Sequence, residues 1–97
     1  MAELRFVWDE AKASSNQTKH GVSFEEAETA FEDPLGRFMG DPDHSEREDR
    51  FVLLGMSSRP RLLVVVHCYR EDDSTVRIIS ARRANRREAS LYVRVQR

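Results

Sequence analysis

Hydrophobic and polar positions along the 97-residue chain fall into short blocks that predict a mixture of strands and helices. The stretch from Leu4 to Trp8, which is apolar except for Arg5, predicts a short first strand. Helical composition follows from Glu10 to Lys19, with Asp9 as the expected N-cap and Gly21 as the residue that ends the helix. One face of this helix carries three polar residues at i, i+4 and i+7 spacing, namely Lys12, Asn16 and Lys19.

A second helix is predicted to begin at Ser23, which together with Glu26 has the spacing of a capping box. Its apolar stripe repeats at the helical period and consists of Phe24, Ala27, Ala30 and Phe31. The Asp33-Pro34 pair stops the helix because proline cannot continue it. The two helices are therefore expected to form a hairpin with a tight turn at Gly21.

Four further strands and a last helix are predicted in the rest of the chain. The strands cover Leu35–Gly40, Arg50–Met56, Leu62–Tyr69 and a segment that begins at Thr75, and the helix covers ANRREASLY, residues 84–92. The run Leu62–Val66 is apolar without alternation, which indicates a central strand that is covered on both faces. Short links between the last three strands predict an antiparallel meander. The order β-α-α-β-β-β-β-α indicates one α+β domain over residues 1–97, with a mainly antiparallel sheet, an N-terminal helical hairpin and a C-terminal helix.

The register of the last hairpin decides which side chains share a face. If the turn Arg70–Ser74 is centred on Asp72, His67 pairs with Arg77. One face then carries Val65, His67, Arg77, Ile79, Ala81 and Arg83. Arg82 would lie on the opposite face, unless the strand ends or bulges there. A slip of one residue would instead place His67 beside Ile78 and break this cluster, because side chains alternate between the two faces.

Composition narrows the function classes. At 39% hydrophobic and 34% charged residues, the chain can bury one modest core. The single cysteine, Cys68, excludes a disulfide or a cysteine-based metal site within one chain. The sequence has neither a secretory signal pattern nor an apolar run long enough to span a bilayer, so we expect a cytoplasmic protein that does not enter the membrane.

The charge distribution indicates a possible binding surface, because charge is spread unevenly along a chain of net charge −1. The segment Gly21–Asp49 carries ten acidic residues and two arginines, whereas Arg77–Arg97 carries seven arginines, no lysine and one acidic residue, Glu88. Guanidinium is always charged and suits bidentate contact with phosphate. The arginine-rich segment therefore predicts either a phosphate-binding surface or a solvated helix paired with the acidic half.

Two motifs connect this pattern to a known family. They are KHGVSF at residues 19–24 and IISARR at residues 78–83, and they lie within WDEAKASSNQTKHGVSFEEAETAFEDP, DPDHSEREDRFVLLG, LLVVVHCY and VRIISARRANRRE. Over roughly residues 6–92 the chain resembles the BrnT family of bacterial type II toxins. Ser14, Ser15 and the Arg94–Arg97 tail depart from the family pattern, but neither departure touches the two motifs.

This resemblance implies a RelE-like fold and a toxin that cleaves RNA without a metal ion or other cofactor, and so inhibits translation and growth. It also implies a BrnA-like antitoxin partner, which would neutralise the toxin and bind DNA to repress the shared operon. Such cleavage would proceed by attack of the ribose 2′-hydroxyl on the adjacent phosphate. This reaction needs a base, an acid and cations around the phosphorane.

The candidate catalytic residues are Lys19, His20, His67, Arg82 and Arg83, where either histidine is a possible base or acid. The candidate RNA-binding residues are Lys12, Arg77, Arg86, Arg87 and Tyr92, and Glu88 is expected to brace Arg82 or Arg83 through an ion pair.

Structural roles compete with these functional ones. His67 is equally compatible with a core histidine, Tyr92 with a core tyrosine, and Lys19 and His20 with charges that complement a helix end. Asp41, Asp43, His44 and Glu46 could form a Mg²⁺ or Mn²⁺ site, but their composition is that of an ordinary turn, so no metal site is predicted.

Two other functions remain open from the sequence alone. The basic surface could hold RNA or a protein partner without cutting anything. A degenerate toxin could instead serve as a co-repressor together with its antitoxin.

Overall fold

The structure, a computed structural model, describes residues 3–40, 50–70 and 72–95, with side chains described as far as residue 92. Three helices and five strands lie within these ranges, so the α+β class is confirmed. Their bounds are β1 Arg5–Val7, α1 Glu10–His20, α2 Phe24–Thr29, β2 Arg37–Gly40, β3 Phe51–Met56, β4 Leu62–Tyr69, β5 Thr75–Arg83 and α3 Arg86–Val95. A short 3₁₀ turn, Ala30–Glu32, follows α2 and was not predicted.

The strands form one sheet in the order β1-β5-β4-β3-β2. The strands β3, β4 and β5 pair as the predicted antiparallel meander, and β2 adds to β3 in the same way. Only the pairing of β1 with β5 is parallel within the described sheet. Because β4 lies third of the five strands, its unbroken apolar run is explained by cover on both faces.

The two faces of the sheet carry different cores. On one side, which we call the hairpin face, α1 and α2 pack over Val65, Val76, Ile78 and other buried residues of the central strands. On the other side, which we call the α3 face, α3 covers a smaller core that includes Val64 and Tyr92. Each strand residue therefore belongs to one of two distinct environments, according to its parity.

A bulge decides the register of the last hairpin, which the sequence left open. Val66 pairs with Ser80 but His67 pairs with Ile78, so Ile79 is the extra residue in β5. Of the two pairings that the sequence left open, the structure has His67 beside Ile78, and Arg77 lies opposite Cys68. Beyond the bulge, Arg82 lies opposite Val64. Cys68 and Val64 share a face of β4, so Arg77 and Arg82 share the α3 face, and the predicted grouping of Arg77 with Arg83 does not form.

The helical hairpin is built largely as predicted. Gly21 ends α1 in the left-handed conformation, with φ of 70°. The Ser23 side chain accepts a hydrogen bond from the Glu26 N–H and so caps α2. The Glu26 carboxylate does not complete the capping box, however, because it binds Arg61 and the Ser57 hydroxyl instead. These bonds tie α2 to the turn between β3 and β4.

Two further expectations concern membrane-spanning helices and metal sites. In the described ranges, no helix has the length and apolar character needed to cross a membrane. Residues 3–40, 50–70 and 72–95 contain no group of three or more potential metal ligands. The loop residues that could have formed a metal site, Asp41, Asp43, His44 and Glu46, lie outside the described residues.

Candidate functional site

The junction between β5 and α3 holds Arg82 in a bidentate ion pair with Glu88. The Arg82 Nη1 and Nη2 atoms donate to the two Glu88 carboxylate oxygens at 2.9 and 2.8 Å. These hydrogen bonds from Arg82 outweigh burial and lower the pKa of Glu88 below its usual value. The ion pair predicted for Glu88 is thus present, and 41% of the Arg82 side chain is still exposed.

Glu88 also fixes the beginning of α3. Its carboxylate accepts a hydrogen bond from the Asn85 N–H at 2.9 Å, and its own N–H donates to the Asn85 Oδ1 at 2.8 Å. This reciprocal arrangement is a capping box with asparagine as the first residue. A single carboxylate therefore sets both the start of the helix and the orientation of the Arg82 guanidinium.

Asn16 joins the helical hairpin to the end of β5. Its Nδ2 donates to the carbonyl oxygens of Ala81, at 2.8 Å, and Val22, at 3.0 Å, while its Oδ1 accepts from the Ala81 N–H at 3.1 Å. Asn16 is buried, although Lys12 and Lys19 of the same predicted face are exposed. The middle residue of this face therefore contacts the sheet, while the two lysines on either side of it stay in solvent.

These bonds place two parts of the predicted site beside each other. Val22 follows the turn that carries Lys19 and His20, and Ala81 precedes Arg82 and Arg83. We call the segments Lys19–Gly21 and Ala81–Arg83, together with Asn16, the Asn16 corner. Sequence reasoning missed Asn16 because a polar residue on a helix with few apolar residues is expected to face solvent.

The other predicted arginines of this region are exposed. Arg83 pairs with Leu63 and so projects on the hairpin face, opposite to Arg82. Arg86 and Arg87 lie in the first turn of α3 and are exposed. A further guanidinium, from Arg61, donates to the Gly21 carbonyl at 3.1 Å, and its ion pair with Glu26 lowers the pKa of that carboxyl.

His67 is separated from this corner by burial. Its side chain is 0% exposed, and rings of Phe31, Phe38, Phe51 and Tyr69 surround it at centroid distances of 4.8 to 6.2 Å. Desolvation lowers the pKa of His67, which keeps the imidazole neutral. The candidate catalytic role for His67 is therefore replaced by a structural one, since RNA cannot reach a fully buried ring.

Tyr92 also takes the structural alternative. It is 7% exposed, and its hydroxyl donates to the Asp33 carboxylate at 2.6 Å. A tyrosine buried in this way does not offer a ring face for stacking on a base.

A second group of arginines lies farther along the α3 face. Arg5 and Arg70 join Arg77 around two adjoining hollows of about 410 and 250 Å³, which share Val7 and Arg70 in their walls. Sequence reasoning missed Arg5 and Arg70. The signal for Arg5 was the alternation of side chains along β1, which places Arg5 and the core residue Phe6 on different faces of the sheet.

The sequence over residues 8–88 matches a family model described as the ribonuclease toxin, BrnT, of type II toxin–antitoxin systems. Among solved structures, the chain is similar to the Brucella abortus ribonuclease toxin BrnT, with a TM-score of 0.66 and 21% identity. That match covers 86% of this chain and 99% of the Brucella chain, and at this identity it supports the fold alone. No curated protein matches the sequence.

Proposed function

Because the chain belongs to the BrnT family of ribonuclease toxins from type II toxin–antitoxin systems, we propose that it cleaves RNA at the Asn16 corner without a metal ion. The observation that carries this proposal is the set of three hydrogen bonds from the Asn16 side chain. They hold a turn bearing a lysine and a histidine against a strand end bearing two arginines. A RelE-like relationship of the fold is part of the same proposal.

The chemistry requires a base and a set of cations within reach of one phosphate. His20 is our candidate to accept the proton of the 2′-hydroxyl, because imidazole exchanges protons near neutral pH. The 2′-oxygen then bonds to phosphorus, and the bond from phosphorus to the 5′-oxygen breaks. Lys19 is our candidate to protonate that leaving oxygen, and the products are a 2′,3′-cyclic phosphate and a 5′-hydroxyl.

Arg82 and Arg83 are our candidates to stabilise the phosphorane. They leave the strand on opposite faces at its end, so a phosphate that lies over this end meets one guanidinium from each side. In this proposal Glu88 acts as a positioning residue, because it fixes the orientation of Arg82 through two hydrogen bonds. Guanidinium supplies the positive charge that a metal ion supplies in other nucleases.

The test is cleavage of a labelled RNA by the purified protein in excess EDTA. We expect cleavage products with 2′,3′-cyclic phosphate ends, and a loss of about 10²-fold or more in rate for Arg83→Ala and for His20→Gln. Arg59→Ala, which removes an exposed arginine from the turn between β3 and β4, is the matched control and should cut at the wild-type rate. Wild-type protein that leaves RNA intact, or cuts only when a metal ion is added, would contradict the proposal.

The family also implies an antitoxin partner and an RNA substrate. We propose that the antitoxin is BrnA-like, that the complex represses its own operon by binding DNA, and that free toxin arrests translation in the cytoplasm. Expression of the chain alone should then stop growth, and co-expression of the neighbouring antitoxin gene should restore it.

A further inference from the structure

We infer that Arg5, Arg70 and Arg77 form a second phosphate-binding site, which holds the backbone of the RNA strand away from the point of cleavage. The identity of the strand as RNA rests on the proposed function. The site itself rests on the register of the sheet, the shape of the surface and the distribution of charge. We call these three residues the arginine track.

The register places all three side chains on the α3 face. Arg5 pairs with Thr75, and Val7 pairs with Arg77, in the parallel ladder of β1 and β5. Phe6, which lies between Arg5 and Val7, packs into the core on the hairpin face, so its two neighbours point the other way. Arg70 donates its N–H to the Thr75 carbonyl at 2.9 Å, which continues the β4–β5 ladder by one residue.

The surface between these side chains is concave. Arg5 and Arg70 line the larger hollow, and Arg70 and Arg77 line the smaller one. Within the described ranges no ion pair involves any member of the arginine track. The guanidinium groups are therefore available to an anion from solution.

Among the described residues, two acidic side chains also border the hollows. Asp72 lines the larger one, but its carboxylate accepts a hydrogen bond from the Ser74 hydroxyl within the hairpin turn. Asp9 lines the smaller one and, although it occupies the N-cap position of α1, its side chain makes no capping bond. Asp9 is thus an exposed negative charge beside Arg70 and Arg77, and it should oppose the binding of phosphate.

The bulge aligns the arginine track with the Asn16 corner. Because Ile79 is the extra residue, Arg77 and Arg82 project from the same face of β5. They are five residues apart, which corresponds to roughly 15 Å along a strand. One single-stranded segment of several nucleotides could therefore contact Arg82 at one end and the arginine track at the other.

The composition of the track favours a phosphate backbone over a protein partner. A protein interface of useful affinity is centred on buried aromatic or aliphatic anchors with a polar rim. Among the described residues, the larger hollow offers one aliphatic side chain, Val7, beside arginine, aspartate and threonine. Trp8 lines the smaller hollow, but its ring packs against Phe24 in the core on the hairpin face. Contact between guanidinium groups and the phosphate backbone is independent of sequence and needs no apolar centre.

The first experiment measures binding to single-stranded DNA with the sequence of the RNA substrate, because DNA lacks the 2′-hydroxyl and is not cut by this chemistry. The dissociation constant is measured between 50 and 500 mM salt, and each phosphate contact contributes about 0.7 to the slope of log K against log salt concentration. We expect Arg5→Gln, Arg70→Gln and Arg77→Gln each to weaken binding and to reduce this slope by about 0.7. Arg59→Gln should change neither quantity.

A variant that is expected to bind more tightly distinguishes a loss of phosphate contacts from a loss of folding. Asp9→Asn removes the negative charge from the smaller hollow and keeps an equally good N-cap residue. We expect it to bind the DNA strand more tightly than wild type, by about two- to fivefold at low salt. A merely structural role for this region would not produce tighter binding.

Cleavage kinetics separate the arginine track from the Asn16 corner. Variants of the track should raise KM for RNA and leave kcat within about twofold, whereas Arg83→Ala should lower kcat. An unchanged salt slope in a variant with all three arginines replaced, or a loss of antitoxin binding with DNA binding intact, would overturn the inference. A changed slope in a protein that never cuts RNA would support the track and contradict the proposed function, so the two failures can be told apart.

Discussion

At the scale of single residues, the apolar surroundings of His67 favour the neutral form of its imidazole. Its Nδ1 lies 3.1 Å from the Val65 carbonyl, which can only accept, so Nδ1 carries the proton of the neutral ring. Its Nε2 is buried and has no hydrogen-bond partner among the described residues. Protonation would place a charge among aromatic rings, and the hydrogen bond to Val65 only partly offsets this cost.

The stability of the fold should therefore depend on pH through His67. Because the folded-state pKa is lowered, the unfolded chain binds the proton more readily. The contribution is fully present above the ordinary histidine pKa of about 6.5 and is lost as the pH falls below it, by at most about 1.4 kcal/mol per pH unit. Denaturant unfolding between pH 7.5 and 5 measures this slope.

His67→Phe provides the comparison for this measurement, since it keeps an aromatic ring in the cluster and removes the titratable group. The variant should show a flatter dependence of unfolding free energy on pH than wild type. An identical slope in the two proteins between pH 7.5 and 5 would show that His67 does not titrate on unfolding, and that the pH dependence arises from other groups.

At the scale of elements, Asn16 substitutes for a missing strand. The short strand β1 pairs with β5 only as far as Arg77, so the outer edge of β5 is open at Ala81. There the Asn16 amide donates to the Ala81 carbonyl and accepts from its N–H, as a neighbouring strand would. The buried edge is thus satisfied by one side chain of α1.

Asn16→Leu should destabilise the protein strongly, because it leaves the Ala81 N–H and two carbonyl groups without their partner. We expect a loss of about 2–4 kcal/mol in the free energy of unfolding and faster hydrogen exchange at the Ala81 amide. Gln17→Ala, at the next and exposed position of α1, is the control and should stay within about 0.5 kcal/mol of wild type. Equal stability of Asn16→Leu and Gln17→Ala would refute the bridging role.

Most elements could be predicted from local patterns, because their apolar residues are buried and their polar residues face solvent or form turns. The strand β4 was predicted with its observed ends, Leu62 and Tyr69, since a continuous apolar run between turns has few other solutions. The bulge at Ile79 could not be predicted, because Ile78 and Ile79 are equally suited to either face. That one residue moved Arg77 to the face that also carries Arg82.

The candidate site was predictable only where its contacts join residues that are close in the sequence. The strand end with Arg82 and Arg83, and its ion pair with Glu88, follow from short separations in the sequence. The contact of Asn16 with Ala81 spans 65 positions and involves one polar side chain, so no local pattern indicates it. His67 was misassigned because its burial depends on rings contributed by four separate segments.

At the scale of the whole molecule, Asp33 joins the two sides of the sheet. It follows the helical hairpin, and its carboxylate accepts hydrogen bonds from the backbone N–H groups of Leu35 and Met56. From the α3 face, the Tyr92 hydroxyl donates to the same carboxylate. Burial raises the pKa of Asp33, but these three hydrogen bonds together outweigh burial and leave the pKa lowered.

Tyr92→Phe should therefore loosen the attachment of α3 to the rest of the molecule. A hydrogen bond to a charged carboxylate contributes about 1.5–3 kcal/mol, so we expect a loss of that size at pH 7 in denaturant unfolding. Tyr69→Phe is the matched control, because it removes the same atom from a half-buried tyrosine whose hydroxyl has no hydrogen bond to a described residue. It should cost much less.

The pH dependence of this difference identifies Asp33 as the acceptor. A lowered aspartate pKa contributes stability above the unfolded-state value of about 3.9 and loses it as the pH falls through the folded-state value. The gap between wild type and Tyr92→Phe should therefore narrow as the pH falls from 7 to 3, since a protonated Asp33 accepts a weaker bond from the tyrosine. A gap that stays constant over this range would mean that Tyr92 stabilises the molecule through packing of its ring in the core on the α3 face, and that α3 does not depend on the carboxylate at the end of the helical hairpin.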